Sequence, residues 1–353
     1  MSHHPVHPGQ DLGQDEAIFF GNRYISSKGK KQPSQLLACL DDDSNRDRVA
    51  SHAVALALAL DLPIAFAHVV EGERDGDAPT DPVEWHLRLG KHREQLNRTI
   101  AQKQDASIPI ESVLLTGSSD QELCGWVHEH AGALLVLATH NGNRRKNRKG
   151  LGTTAQKILS DGMASLLLVP PEATPPAVVP YQKLLIPLDG SFRAESILPV
   201  ALRIARNCGA EIMLIHALAQ LDTFELQSFK EDADELCSKL KEQNEQRARS
   251  YLEKLRSRFR AQGFIVNEMV MSDGDPRDRL RQVALDLGAD LIVVSSHGRS
   301  GLSDVACGSV TAYLADHAPC PLLIIRPSFQ LGQTKQFASN SDDVDTLSRE
   351  ITQ

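Results

Sequence analysis

The sequence predicts an α/β protein of two tandem, doubly wound domains, each a five-stranded parallel sheet covered by helices. Three observations predict it: the chain repeats itself, short apolar runs alternate with amphipathic segments, and a proline-rich break divides the copies. The repeat is clearest in "QLLACLDDDSNRDRVASHAVALALALDLPIAFAHVVE" and "KLLIPLDGSFRAESILPVALRIARNCGAEIMLIHALA". Each has an apolar run leading to an Asp, a polar turn, an amphipathic helix and an apolar run holding a His. Asp41 and Asp189 stand 148 positions apart, as do His68 and His216. His140 and His297 stand 157 apart, so the second copy is nine residues longer in between, and Gly152 and Gly308 stand 156 apart. Matched anchors in one order point to duplication.

In order, each copy reads strand, helix, strand, long helix, strand, helix, strand, helix, strand. Runs such as "LIVV" and "LLLV" are continuous rather than alternating, which suits strands buried on both faces of a parallel sheet. Alternating strands and helices then imply right-handed crossovers. The second copy's extra length falls in its long helix, where Leu236, Leu240, Leu252, Leu255 and Phe259 share a stripe among many charges. Packing on its own sheet is expected of that stripe, with a partner-binding helix as the alternative. "PPEATPPAVVP", Pro170 to Pro180, continues neither a helix nor a central strand. The expected organisation is a polar tail over 1–33, a first domain over 34–171, a linker over 172–180, a second domain over 181–327 and a polar tail over 328–353.

Composition narrows the function. The 353 residues are 41% hydrophobic and 24% charged, with a net charge of -8. That excludes general disorder and argues against nucleic acid as a partner. Six cysteines show no metal-ligand spacing, so reduced core thiols in a cytoplasmic protein are expected. "AVALALAL" is too short to span a membrane, and the first residues carry no signal-peptide pattern. "MSHHPVHP" reads as a solvated tail, with weak metal binding the alternative. No P-loop, nucleophile elbow or His-Glu-x2-His is present, and no general base stands out.

The richest stretch is "SSHGRSGLSDVACGS", Ser295 to Ser309, directly after the strand "ADLIVV". In doubly wound sheets ligands bind beyond the carboxyl ends of strands, where strand order reverses. Gly298 can take positive φ and lets a phosphate approach the backbone. Gly308 and Ser309 open the helix "SVTAYLADHA", whose N–H groups and dipole favour an anion. Ser309 and Thr311 add hydroxyl donors. Two other readings stand beside this one: Gly298 as a plain chain turn, and Ser309 as a simple N-cap. Gly274-Asp275-Pro276 is expected to form a tight turn with Pro276 starting a helix.

Together, "LLIPLDGS", "MLIH", "DGDP" and "ADLIVVSSHGRSG…CGSVTAYLADHAPCPLLIIR" closely resemble the universal stress protein family. Its ATP-binding members carry a Gly-x2-Gly-x9-Gly-Ser/Thr loop, here Ser295-x2-Gly298-x9-Gly308-Ser309, with serine in the first glycine's place. The resemblance covers both copies, about 34–327, and is more specific in the second. It implies a Rossmann-like fold with ATP, together with Mg²⁺, lying across the strand ends. Asp189 would bond the adenine or ribose, and Pro187 and Ala217 would line the base pocket. The backbone from Val294 to Gly298 would meet ribose and phosphate, and Gly308, Ser309, Val310 and Thr311 would cradle the phosphates. It also implies association through the last, edge strand, so that "CPLLIIR" and "ASLLLV" pair the copies as an intramolecular pseudo-dimer, with further dimerisation of whole chains expected. Independently of the resemblance, an acid at the end of a first strand suits adenine or ribose, and capping the next helix through "DGS" is the alternative for Asp189. His297 is placed to meet phosphate or to be held by the loop.

The first copy departs from the pattern. Asp41 is kept, Cys39 replaces the proline, and one residue is inserted after His140. Gly142-x9-Gly152-Thr153 is intact, and counting back from Gly142 puts Thr139 in the first glycine's place. Arg144, Arg145, Lys146, Arg148 and Lys149 crowd the loop. They read equally as a more cationic phosphate site or as a solvated basic loop on an altered site. The expected function is a cytoplasmic, ATP-binding stress-response regulator that binds nucleotide mainly through its second domain and acts on an unidentified protein partner. A slow ATPase or phosphotransferase, and a nucleotide-independent interaction module, are the alternatives.

Overall fold

The computed structural model describes residues 35–41, 45–71, 81–103, 108–130, 132–139, 151–162, 164–174, 181–218, 232–298 and 307–331. His140, Gly142, the basic run Arg144 to Lys149, the N-terminal tail and most of the C-terminal tail lie outside these residues.

The first half runs β1 (Leu36–Cys39), α1 (Arg46–Leu60), β2 (Ile64–Val70), α2 (Pro82–Lys103), β3 (Ile110–Thr116), α3 (Ser119–Glu129), β4 (Leu134–Ala138), α4 (Thr153–Asp161) and β5 (Ser165–Val169). The second half repeats it as β6 (Lys183–Pro187), α5 (Phe192–Glu195), α6 (Leu198–Cys208), β7 (Glu211–Ala217), α7 (Asp232–Ala261), β8 (Val266–Met271), α8 (Pro276–Leu287), β9 (Leu291–Ser295), α9 (Ser309–His317) and β10 (Leu322–Ile325). Only the one-turn α5 was not anticipated. Pro276 does open α8: the Asp275 side chain accepts from Arg277 N at 2.9 Å, and Gly274 takes the left-handed φ of 83° that the turn requires.

Both halves have five parallel strands, but they do not form two separate sheets. The order is β3-β2-β1-β4-β5-β10-β9-β6-β7-β8, one ten-stranded sheet. All neighbours are parallel except β5 and β10, which pair antiparallel with Leu322 opposite Leu168, Leu323 opposite Leu167 and Ile324 opposite Leu166. The pairing of "ASLLLV" with "CPLLIIR" is thus present within the chain. Antiparallel pairing of the same edge strand from two similar halves is what a two-fold axis perpendicular to the strands produces.

Alternate strand residues feed two core layers. Leu36, Phe66, Leu184 and Leu214 face α1, α2, α6 and α7, while Leu37, Ala65, Leu185 and Ile215 face α3, α4, α8 and α9. Across the seam α1 packs on α6, and Asn207 Nδ2 donates to Ala59 O at 2.8 Å. On the other face α4 is held from the second half at both ends. Leu151 N donates to Asp316 Oδ1 at 2.6 Å, and the buried Arg326 donates to Leu159 O at 2.8 Å.

The apolar stripe of α7 divides. Ala248, Leu252, Leu255 and Phe259 are buried against β7 and β8, whereas Leu240 is 37% exposed. Leu236 falls outside the described side chains.

Candidate functional site

Strand order reverses between β6 and β9, and the carboxyl ends of β6, β7 and β9 open there into a cavity of about 1090 Å³. Pockets for small molecules run about 300–1,000 Å³, so this one has room for a large ligand. Eleven second-half residues singled out in the sequence line it: Pro187, Asp189, Ala217, Val294, Ser295, His297, Gly298, Gly308, Ser309, Val310 and Thr311.

Backbone hydrogen bonds set the loop. Ser296 N donates to Ile325 O at 3.1 Å, and Gly308 N returns to Ser296 O at 2.8 Å. The two ends of the loop are thereby clasped, and α9 begins beside the end of β9. Gly308 is the N-cap, with no side-chain cap bond, and Ser309 is the first helical residue. Reading Ser309 as the N-cap is therefore incorrect. The first turn of α9 faces the cavity with N–H groups that the helix itself cannot satisfy.

Two further expectations are corrected. Gly298 is not in the left-handed region; a Cβ there would stand 2.5 Å from Asp189 Oδ2. Its glycine answers to a carboxylate, not to a turn. Thr311 Oγ1 is buried and donates to Ser295 O at 2.9 Å, so its hydroxyl proton ties α9 to β9 and is not offered to a phosphate. Asp189 Oδ1 accepts from Ser191 N at 2.9 Å, and Ser191 Oγ caps α5 by accepting from Ala194 N at 3.1 Å. One carboxylate oxygen thus organises the turn, and the other leans toward Gly298. The His297 ring lies 2.9 Å from Ser296 Oγ through Nδ1.

Sequence reasoning missed one wall. Lys241, Asn244, Arg247 and Tyr251 of α7 line the cavity, together with Asp273 after β8. Tyr251 meets His216 edge-on, with centroids 6.0 Å apart. Burial, followed by the nearby Glu195 and Asp189, raises the Tyr251 pKa and keeps the phenol protonated. Lys241 Nζ pairs with Asp273 Oδ1 at 2.9 Å, which raises the lysine pKa and lowers that of the aspartate. The missed signal was helical spacing: positions 241, 244, 248 and 251 continue the stripe of Leu252, Leu255 and Phe259.

In the first half Gly152 N donates to Thr139 O at 2.7 Å, and α4 begins at Thr153. Leu134 pairs with Leu36 as Leu291 pairs with Leu184. That register matches Thr139 with Ser296 and Ala138 with Ser295, so Thr139 does not stand in the first glycine's place. Counting back from Gly142 misled because the extra residue lies between the strand and that glycine. Asp41 O accepts from Arg46 Nε at 3.2 Å. His68 stacks on His92 with centroids 4.4 Å apart, where the second half sets His216 against Tyr251. Cys39 is buried in the place of Pro187, and burial pushes its pKa up.

Both α/β halves are matched by one family model, universal stress protein family, over residues 34–170 and 180–326. The chain belongs to the universal stress protein family. Among its relatives, the universal stress protein Mb2028c of Mycobacterium bovis is 23% identical over 316 residues, 86% of this chain and 100% of its own. The universal stress protein MJ0577 of Methanocaldococcus jannaschii is 28% identical over 161 residues, 42% of this chain and 96% of its own. A solved universal stress protein from Archaeoglobus fulgidus, 16% identical, superposes with a TM-score of 0.59 over 84% of this chain and 99% of that one. Another solved universal stress protein, 22% identical over 42% of this chain and 98% of its own (TM-score 0.27), is a complex with cAMP. Among the described residues no group of three His, Cys, Asp or Glu side chains could hold a metal, and no helix is long and apolar enough to cross a membrane.

Proposed function

We propose that the second half of this universal stress protein binds ATP in the cavity at the ends of β6, β7 and β9. In this reading the protein is a nucleotide-binding regulator, with one strong site per chain and an altered first half. The observation that carries it is the pairing of two unlike ends in one cavity. Asp189 supplies a carboxylate suited to adenine or ribose, and the uncapped first turn of α9 supplies N–H donors and a positive dipole end suited to phosphate. Gly298 and Gly308 themselves put no side chain between the cavity and their backbone. Mg²⁺ would ride on the phosphates and water rather than on a protein cage. Binding at both ends would tie the strand edge to α9 and shift the population of a partner-binding surface.

The test is calorimetric titration of the purified protein with ATP, AMP and cAMP, alongside mass spectrometry of any released ligand. About one ATP per chain is expected. Gly308→Val should abolish binding while the protein stays folded, because a Cβ there meets its neighbours only at 3.7 Å or beyond. Unchanged affinity in that variant would refute the placement. ATP turnover above background, lost on Asp189→Ala, would make the protein an enzyme instead.

A further inference from the structure

α7 is longer than the sheet it packs on. Its 30 residues rise about 45 Å, whereas the seven residues of β7 span about 23 Å. Its C-terminal half is anchored by Leu252, Leu255 and Phe259, and the half before Ala248 overhangs the strand ends. The stripe that faces the sheet continues along this overhang and changes character. Where it meets strands it is Leu and Phe; where it meets the cavity it is Lys241, Asn244, Arg247 and Tyr251. Leu240 stands beside these positions, 37% exposed, but the cavity-facing ones carry two cations and an amide.

The layers place that wall opposite α9. α6 and α7 cover one face of the sheet, and α8 and α9 cover the other, so the cavity at the strand edge lies between the α7 overhang and the first turn of α9. Lys241 is held by Asp273 across the mouth, in an exposed pair that adds little stability and is readily exchanged. The Arg247 side chain makes no hydrogen bond or ion pair among the described residues. An adenine nucleotide carries its negative charge only on phosphate, and a guanidinium fork matches phosphate oxygens.

We propose that the α7 overhang is the specificity wall of this site. Arg247, with Lys241 recruited from Asp273, holds the distal phosphates of a polyphosphate chain whose near end rests on α9. The inference depends on the nucleotide reading above and refines it: the site selects nucleoside triphosphates over monophosphates.

The experiment compares affinities for ATP, ADP, AMP, adenosine and inorganic tripolyphosphate in the wild type, Arg247→Ala, Arg247→Lys and Asp273→Asn, with thermal melts as folding controls. Arg247→Ala should weaken ATP about tenfold, or about 1.4 kcal/mol, and leave AMP and adenosine within about twofold. Arg247→Lys should recover part of the loss. Asp273→Asn, by releasing Lys241, should tighten ATP and not adenosine. Equal loss across all ligands, or none for ATP, overturns the α7 wall and leaves the nucleotide site standing. A wild type that binds none of the five probes overturns both.

Discussion

At the residue scale, the site is organised by the two oxygens of Asp189. One accepts from Ser191 N, and the other fills the space that a side chain on Gly298 would need. Gly298→Ala forces the carboxylate to turn, which breaks the bond to Ser191 N and costs about 1 kcal/mol. In an Asp189→Ala background the methyl group meets no carboxylate, so the same substitution should cost much less. A denaturant double-mutant cycle reads the difference as a coupling energy. Equal costs in both backgrounds would mean that Gly298 is glycine for another reason. Thr311 teaches a related lesson. Its type suits a phosphate, and its burial gives the hydroxyl to Ser295 O instead.

At the element scale, α7 does two jobs along one stripe. Phe259 is fully buried, so Phe259→Ala should cost about 3–5 kcal/mol. Leu240 lies beyond the sheet, and Leu240→Ser should change stability by no more than about 0.5 kcal/mol. Urea midpoints of the two variants check the division; a large loss at Leu240 would show the overhang to be packed rather than free. The stripe was legible in the sequence because helical periodicity is local. Its change of role was not, because it depends on where β7 and β8 stop relative to the helix. The same limit explains Thr139, whose register came from strand pairing rather than from counting along the loop.

At the scale of the whole molecule, the seam joins two halves that share both core layers. His52 of α1 sits in it, 3% exposed, stacked on Tyr181 from the start of the second half with centroids 6.4 Å apart. Burial, helped by the Arg48 cation, holds its pKa at about 4 against an ordinary 6.5. The unfolded chain therefore takes up this proton first as pH falls. The stability from neutral His52 is fully present above pH 6.5 and is lost progressively toward pH 4. The loss is on the order of 3 kcal/mol. Denaturant titrations across that window should show a steeper pH slope in the wild type than in His52→Leu. Identical slopes would mean that the imidazole titrates normally.

Taken alone, the sequence determined the duplication, the order of strands and helices in each copy, the reversal point and the loop from Ser295 to Ser309. The duplication rests on anchors matched between the copies, and the rest on periodicity, spacing or residue type within one copy, all of which are read along the chain without knowing what packs on what. The closing of the two sheets into one through β5 and β10 was implied by the family resemblance, but its antiparallel register was decided by the tertiary structure, because either copy could have offered that edge elsewhere. Tertiary structure also decided that α7 walls the cavity, that Asp189 dictates Gly298 and that the Thr311 hydroxyl is engaged by Ser295 O. Each of these is a contact between residues far apart in sequence, and such contacts exist only once hydrophobic burial has fixed which elements are neighbours.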